Sequence, residues 1–320
     1  MSDNILQGKK ALIVGGAGFV GGYLASHLAG AYGCEVFATH LPGEPTEGIE
    51  AQFTQLDILD LGAIEALLAH VQPNFIFHLA AQSSVAHSWQ NPDITLDVNI
   101  KGSTHLLQAV QKSGQAPRIL LIGSGDEYGA VRPQDIPVQE DILPRPGNIY
   151  AVSKVCQNML GSVYAKAYGL QTIMVRAFNH IGPRQTPAFV VADFCKQVAE
   201  IEAGKREPVL RVGNLTATRN FTDVRDVVAA YALLAQKGQV GETYNVGSGH
   251  SVVVRSILQQ ILELATCPIT VEVDPQKLRP IDVPVVEVDI RKIQAATGWQ
   301  PKIPLQQTLQ QTLEYWRGLV

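Results

Sequence analysis

The chain has 320 residues, 46% of them hydrophobic and 17% charged, with a formal net charge of −4 at pH 7. That length supports a sizeable core and two lobes, and the mild acidity speaks against nucleic acid or an anionic membrane surface as the main partner. An anionic substrate would have to be held by local cations rather than by a global field.

Met1 to Lys10 reads MSDNILQGKK, without the basic start, apolar stretch and cleavage site of a secretory signal. The longest apolar runs, such as Ile119 to Ile122 and Phe75 to Phe77, fall far short of a membrane span. A cytoplasmic location is the expectation. Cys34, Cys156, Cys195 and Cys267 lie far apart, with no CxxC pair and no histidine at ligand spacing, so free thiols and no structural metal are expected.

The first half alternates apolar strands with helical segments. Strands are predicted at Lys9 to Val14, Glu35 to Thr39, Asn74 to Leu79 and Arg118 to Ile122. Helices are predicted at about Phe19 to Ala29, Leu61 to Val71 and Val98 to Ser113. This rhythm predicts an α/β fold, a Rossmann-like doubly wound parallel sheet covered by helices on both faces. The stretch from Arg132 to Gly147 carries Pro133, Pro137, Pro144 and Pro146 and reads as a long surface loop. Tyr150 to Tyr168 follows as a helix stopped by Gly169, and Leu170 to Arg176 as a further strand.

Beyond Asn179 the pattern changes, with loops at Gly182 to Pro187 and Lys277 to Pro284. The division expected is a dinucleotide-binding domain over 1–178 and a smaller C-terminal substrate-binding lobe over 179–320. Thr243 to Val246 looks like a strand returning to the first sheet, so about 220–250 would rejoin the first domain and the second would be discontinuous.

Gly15-Gly-Ala-Gly18-Phe-Val-Gly21 follows the first strand and opens a helix. Glycine permits a tight turn and close approach to a phosphate, and the helix N-terminus offers exposed N–H groups and partial positive charge. An acidic residue at the end of the second strand would bind ribose hydroxyls and repel an added phosphate. Ala38, Thr39 and His40 stand there instead. Thr39 and His40 could hydrogen-bond a phosphate, which inclines the reading to NADP(H) over NAD(H), although no arginine demands it and both residues could simply cap a strand. Asp57 could accept from an adenine amino group or serve only as a turn former.

Tyr150 and Lys154 are four residues apart on a predicted helix and share one face. A nearby ammonium favours the phenolate, so the tyrosine could exchange a proton with a carbinol or carbonyl oxygen. Ser124, at a strand end, could hold that oxygen.

GGAGFVG, HLAAQSSV (His78 to Val85), VNIKGS (Val98 to Ser103), GSGDEYG (Gly123 to Gly129) and YAVSK (Tyr150 to Lys154) together resemble an extended short-chain dehydrogenase/reductase. FNHIGPR (Phe178 to Arg184), GNLTATRNFTDVRDV (Gly213 to Val227) and LRPIDVP (Leu278 to Pro284) resemble its GDP-mannose 4,6-dehydratase branch, and most closely the sister reductases acting on GDP-4-keto-6-deoxy-D-mannose. The resemblance implies that Gly15, Gly18, Phe19 and Val20 hold the cofactor pyrophosphate and that Asp57 and Ile58 border the adenine. It implies that Leu79, Ala80 and Ala81 line the path to the ribose, that Lys154 binds the nicotinamide ribose and that His180 sits near the nicotinamide. Asn179, Arg219 and Arg279 would contact a nucleotide sugar, the arginines neutralising its diphosphate. A homodimer formed through the YxxxK helix is also implied, and Val155, Met159 and Val163 on that helix suit either such packing or a core.

Dehydratases of this superfamily carry an Asp and then a Glu shortly before the Tyr-Gly of this segment. Aligned on Tyr128-Gly129, those positions hold Gly125 and Asp126, so the acid slot is empty and the base is one methylene short. Glu127 is adjacent but should point elsewhere on an extended segment. Plain 4-keto reduction needs only a hydride donor, Tyr150, Lys154 and Ser124, and is the expected reaction. A 4,6-dehydratase, a 4-epimerase and a non-catalytic dinucleotide-binding regulator are the rival readings.

Overall fold

The structure, a computed structural model, describes residues 4–277 and 287–320. In chain order the first half contains β1 (Lys10–Val14), α1 (Phe19–Tyr32), β2 (Glu35–His40), β3 (Gln52–Gln55), α2 (Leu61–Val71), β4 (Phe75–His78), α3 (Val85–Gln90) and α4 (Pro92–Leu96). It continues with α5 (Gly102–Ser113), β5 (Arg118–Ser124), α6 (Ile149–Tyr168) and β6 (Gln171–Ala177). Then follow β7 (Asn179–Ile181), α7 (Val190–Glu202), β8 (Val209–Val212), β9 (Thr218–Asp223), α8 (Val224–Lys237) and β10 (Thr243–Val246). The last elements are β11 (Ser251–Val253), α9 (Val254–Glu263), β12 (Thr270–Val273), α10 (Arg291–Thr297) and α11 (Leu305–Arg317).

Seven parallel strands form one sheet in the order β10-β6-β5-β4-β1-β2-β3. Alternate residues of each strand serve opposite faces. Ala11 and Ile13 of β1 pack into the core shared with α1 and α8, while Leu12 and Val14 pack into the core shared with α2 and α5. Burial on both faces is why the central strands β1, β4 and β5 are largely apolar in sequence, whereas the edge strand β3 is mostly exposed and polar. The order turns back between β1 and β4, which opens a crevice at the carboxyl ends of those two strands.

Thr243 to Val246 does rejoin this sheet, pairing with Met174 to Ala177. A three-stranded sheet, β11-β9-β7, and the pair β12-β8 lie with α7, α9 and α11 around a third core that includes Phe194, Leu210, Ile257 and Leu309. β7 and β9 run parallel, with Asn179 opposite Phe221 and His180 opposite Thr222.

Two expectations are corrected. Val98 to Ser113 is not one α-helix: Asp97 to Lys101 forms a π turn between α4 and α5. The stretch from Arg132 to Gly147 is not merely a surface loop. Val138 is fully buried and bridges to Val288, so the segment threads one apolar side chain into the main core.

Candidate active site

The glycine loop is built by close backbone approach. Gly15 has φ +85, and a Cβ there would stand 2.7 Å from the Ala80 amide nitrogen, so only glycine lets β1 turn under the chain leaving β4. Leu79 and Ala80 donate their N–H groups to the Val14 carbonyl, which fixes this crossing. Gly18 is the N-cap residue of α1; no side chain caps the helix and no acid lies in its first turn. The exposed donors and partial positive charge suit a pyrophosphate. Phe19 and Val20 are half-buried at the same helix start.

Thr39 is not available to a phosphate. Its hydroxyl accepts from the Gly15 N–H at 2.9 Å and the residue is 2% exposed, so it serves as a strut of the glycine loop. His40 remains half-buried at the strand end, with Nδ1 2.9 Å from the Leu41 carbonyl and its ring edge-on to Phe53. Asp57 is exposed and its carboxylate accepts from the Leu59 N–H at 2.9 Å, forming a turn. Ile58 is buried against Gly102 of α5.

The proton-transfer groups meet at the end of β5. Asn148 caps α6 by accepting from the Ala151 N–H, which places Tyr150 in the first turn and Lys154 one turn on. The Tyr150 phenol lies beside the Ser124 side chain, close enough for that hydroxyl to favour the phenolate. Ser124 Oγ accepts from the Asp126 N–H at 3.1 Å, so its own proton is free to be donated. Burial holds the Tyr150 phenol above its ordinary range; the charges of Asp126 and Glu127 add to this and the Ser124 hydroxyl opposes it.

Lys154 makes its hydrogen bonds away from the phenol. Its Nζ donates to the Ile122 carbonyl and to Gln157 Oε1, both at 2.8 Å, and lies 6.0 Å from the centroid of the Tyr150 ring. Burial pushes the ammonium down to about 8, with Glu127 pulling it back up.

Behind these groups a hydrogen-bond chain ties β4 to α6 through the π turn. Asn99 bonds both the N–H and the carbonyl of Gln82 and donates to Ser153 Oγ, which donates to the Tyr150 carbonyl. Ser103 donates to the Asn99 carbonyl at 2.6 Å, so His78 Nε2, 2.8 Å away, must be the donor to Ser103. Burial and the charge of Lys154 push His78 down to about 3, and it stays neutral.

His180 stacks on Phe19 with ring centroids 6.2 Å apart, which brings β7 against the glycine loop. Burial lowers its pKa. Asn179 is exposed, its amide donating to the Asn220 carbonyl, and Arg219 is half-buried with Nη1 on the Thr218 carbonyl. Arg279 lies outside the described residues. The structure thus joins Ser124, Tyr150 and Lys154, and separately joins the glycine loop, Leu79 to Ala81 and His180.

The pattern of the GDP-mannose 4,6 dehydratase family matches residues 12–312. The chain belongs to that family. Among its relatives, GDP-6-deoxy-D-mannose reductase of Pseudomonas aeruginosa is 32% identical over 98% of both chains. The structure of RMD from the same organism complexed with NADPH superposes with a TM-score of 0.85 at 31% identity, covering 98% of this chain and all of that one. UDP-glucose 4-epimerase of Thermus thermophilus complexed with NAD gives a TM-score of 0.87 at 31% identity, covering 97% of this chain and all of that one. As a member of the GDP-mannose 4,6 dehydratase family, the chain is an NAD(P)-dependent enzyme of the extended short-chain dehydrogenase/reductase type with a Rossmann-like fold.

Two residues escaped sequence reasoning. Asn99 was visible only as part of a motif. Glu127 had a direct signal: Ser124-x-x-Glu127 is a capping box, in which the acid turns back to the N-cap backbone instead of alternating along a strand.

Proposed function

We propose that the protein reduces the C4 carbonyl of a nucleotide-linked 4-keto-6-deoxy sugar, GDP-4-keto-6-deoxy-D-mannose to GDP-D-rhamnose, with Ser124, Tyr150 and Lys154 as its catalytic residues. The observation that carries this reading is at Gly125. A Cβ there would stand 2.8 Å from the Phe178 ring, so the position where dehydratases keep their acid is filled by an aromatic side chain. Dehydration across C5 and C6 loses that group, whereas carbonyl reduction does not use it. The similarity to a GDP-6-deoxy-D-mannose reductase over nearly the full chain supports the same reading.

A reduced nicotinamide dinucleotide supplies the hydride when bound. Ser124 donates its hydroxyl proton in a hydrogen bond to the C4 oxygen and orients it. Tyr150, kept protonated by burial, delivers its phenolic proton to that oxygen as negative charge develops there. Lys154, held by Ile122 and Gln157, has three N–H donors and spends two, which leaves one for a ribose hydroxyl. Gly15, Gly18, Phe19 and Val20 hold the pyrophosphate, Asp57 and Ile58 border the adenine, and Leu79, Ala80 and Ala81 wall the crevice. His180 faces the nicotinamide, and Asn179, Arg219 and Arg279 take the sugar nucleotide.

The missing acid at Ala38, Thr39 and His40 favours NADP(H), with His40 as the phosphate partner left once Thr39 is committed to Gly15. The lobe division at 178/179, with about 220–250 returning to the first lobe, places the substrate groups across the cleft from the dinucleotide. The working form is a cytoplasmic homodimer; no helix among the described residues is long and apolar enough to cross a membrane.

Tyr150→Phe is expected to lose at least about a hundredfold in kcat while the dinucleotide Kd stays within about twofold. Steady-state kinetics and a binding titration check both. Full turnover in that variant refutes the assignment.

A further inference from the structure

Glu127 takes no part in the chemistry above, yet it is among the best-connected side chains near it. It is fully buried. Its Oε1 accepts from the Ser124 N–H at 2.9 Å; its Oε2 accepts from Arg176 Nε at 2.9 Å and from Asn158 Nδ2 at 3.2 Å. Arg176 belongs to β6 and Asn158 to α6, four residues after Lys154, so one carboxylate ties together the end of β5, its neighbouring strand and the helix that carries the proton-transfer pair. The chain makes room for it at a cost: a Cβ on Gly123 would stand 2.3 Å from Glu127 Oε1.

Lys154 is the counterpart. Its ammonium is buried, and both of its partners, the Ile122 carbonyl and Gln157 Oε1, are neutral. A buried cation without a directly paired anion is unstable, so a nearby negative charge decides whether it stays protonated. The Ile122 carbonyl that holds Lys154 and the Ser124 amide that holds Glu127 are two residues apart on β5. We propose that Glu127 is a positioning residue that fixes Ser124 through its backbone and provides the counter-charge for Lys154.

The other charged and titratable groups around Lys154 do not take this role. His78, on β4, is neutral and its interaction with the ammonium is unfavourable. Arg176, on β6, is a cation; Tyr150, on α6, is held protonated by burial; and Asp126 is exposed beside the phenol. Burial raises the Glu127 carboxyl to about 7 and the Arg176 guanidinium bound to it opposes that rise, so over the range in which Lys154 titrates Glu127 is the anion whose charge supports the ammonium.

The role rests on the reductase reading, but its test does not. Lys154 is titrated in the protein without substrate by NMR of 13Cε-labelled lysine, assigned with Lys154→Arg, for wild type, Glu127→Gln and Glu127→Gln/Arg176→Met. The double variant removes both members of the buried ion pair and so leaves no unpaired guanidinium. The Lys154 titration is expected to move about one pH unit lower in Glu127→Gln and lower also in the double variant. The alkaline limb of kcat should move with it, while KM for the sugar nucleotide changes less than about twofold. An unmoved Lys154 titration overturns the proposal. Failure of both variants to fold overturns it too, because a carboxylate needed only for folding is a structural residue. A wild type that does not turn over a 4-keto sugar nucleotide defeats the reductase reading alone, and the titration still decides Glu127.

Discussion

At the scale of single residues, the functional case rests on what fills the space beside Gly125. Gly125 is confined by the Phe178 ring, which in turn lies 6.2 Å from the buried Tyr128 ring. Gly125→Asp is therefore expected to destabilise the protein, by about 1–3 kcal/mol for overpacking, and to gain no dehydratase activity. Thermal unfolding, together with an assay for a 4-keto product from GDP-mannose, measures both. A variant of unchanged stability that makes the 4-keto sugar would show that the slot is open, and the reductase assignment would lose its main support. Much of this site was legible in the sequence, because Gly15, Ser124, Tyr150 and Lys154 carry chemistry that few other arrangements need. Thr39 and Glu127 were not. Thr39 looks like a ligand group but is committed to the Gly15 N–H, which only the folded chain brings near, whereas Glu127 reads as pointing away on an extended segment and is turned back by the capping box into its bonds with Ser124, Arg176 and Asn158.

At the scale of elements, α6 does two jobs on two faces. Its inner face buries Tyr150, Lys154, Gln157 and Asn158 against β5 and β6. Its outer face shows Val152, Met159 and Val163 at 40%, 64% and 54% exposure, with Val155 half-buried between them. The spacing of 152, 155, 159 and 163 makes one apolar stripe along about three turns. The sequence left Met159 and Val163 divided between core and interface; their exposure decides against the core. In the proposed homodimer this stripe packs on its own copy, so Met159→Glu should place like charges together and convert dimer to monomer. Sedimentation equilibrium reads the mass directly, and a monomeric wild type, or a Met159→Glu variant that stays dimeric, would remove α6 from the interface. Periodicity read six of the seven main-sheet strands, together with α1, α2 and α6, because each buries a regular face; β3 and most of the C-terminal elements were not read. It missed the π turn at Asp97 to Lys101, where Asn99 leaves the regular helix to reach Gln82 and Ser153. It also missed Val138, since a single buried side chain in a proline-rich stretch has no period to detect.

At the scale of the whole molecule, a net charge of −4 gives no general attraction for an anionic substrate, so affinity must come from the cleft between the main sheet and the β7–β9 strands. His180 already bridges that cleft by stacking on Phe19, and β7 and β9 present Asn179 and Arg219 from its far side. A sugar nucleotide held by those groups, with a dinucleotide on the glycine loop, would clamp the two cores together. Ligands that bind only the folded state stabilise it by about 2.7 kcal/mol at a hundred times Kd. NADPH alone is expected to raise the melting temperature more than NADH, and addition of a GDP-sugar should raise it further, beyond any effect of UDP- or dTDP-sugars. A panel in which UDP- or dTDP-sugars stabilise and GDP-sugars do not would reassign the base. Equal shifts with the two dinucleotides would place cofactor choice outside the β2 end, because His40 is the side chain there left to distinguish them.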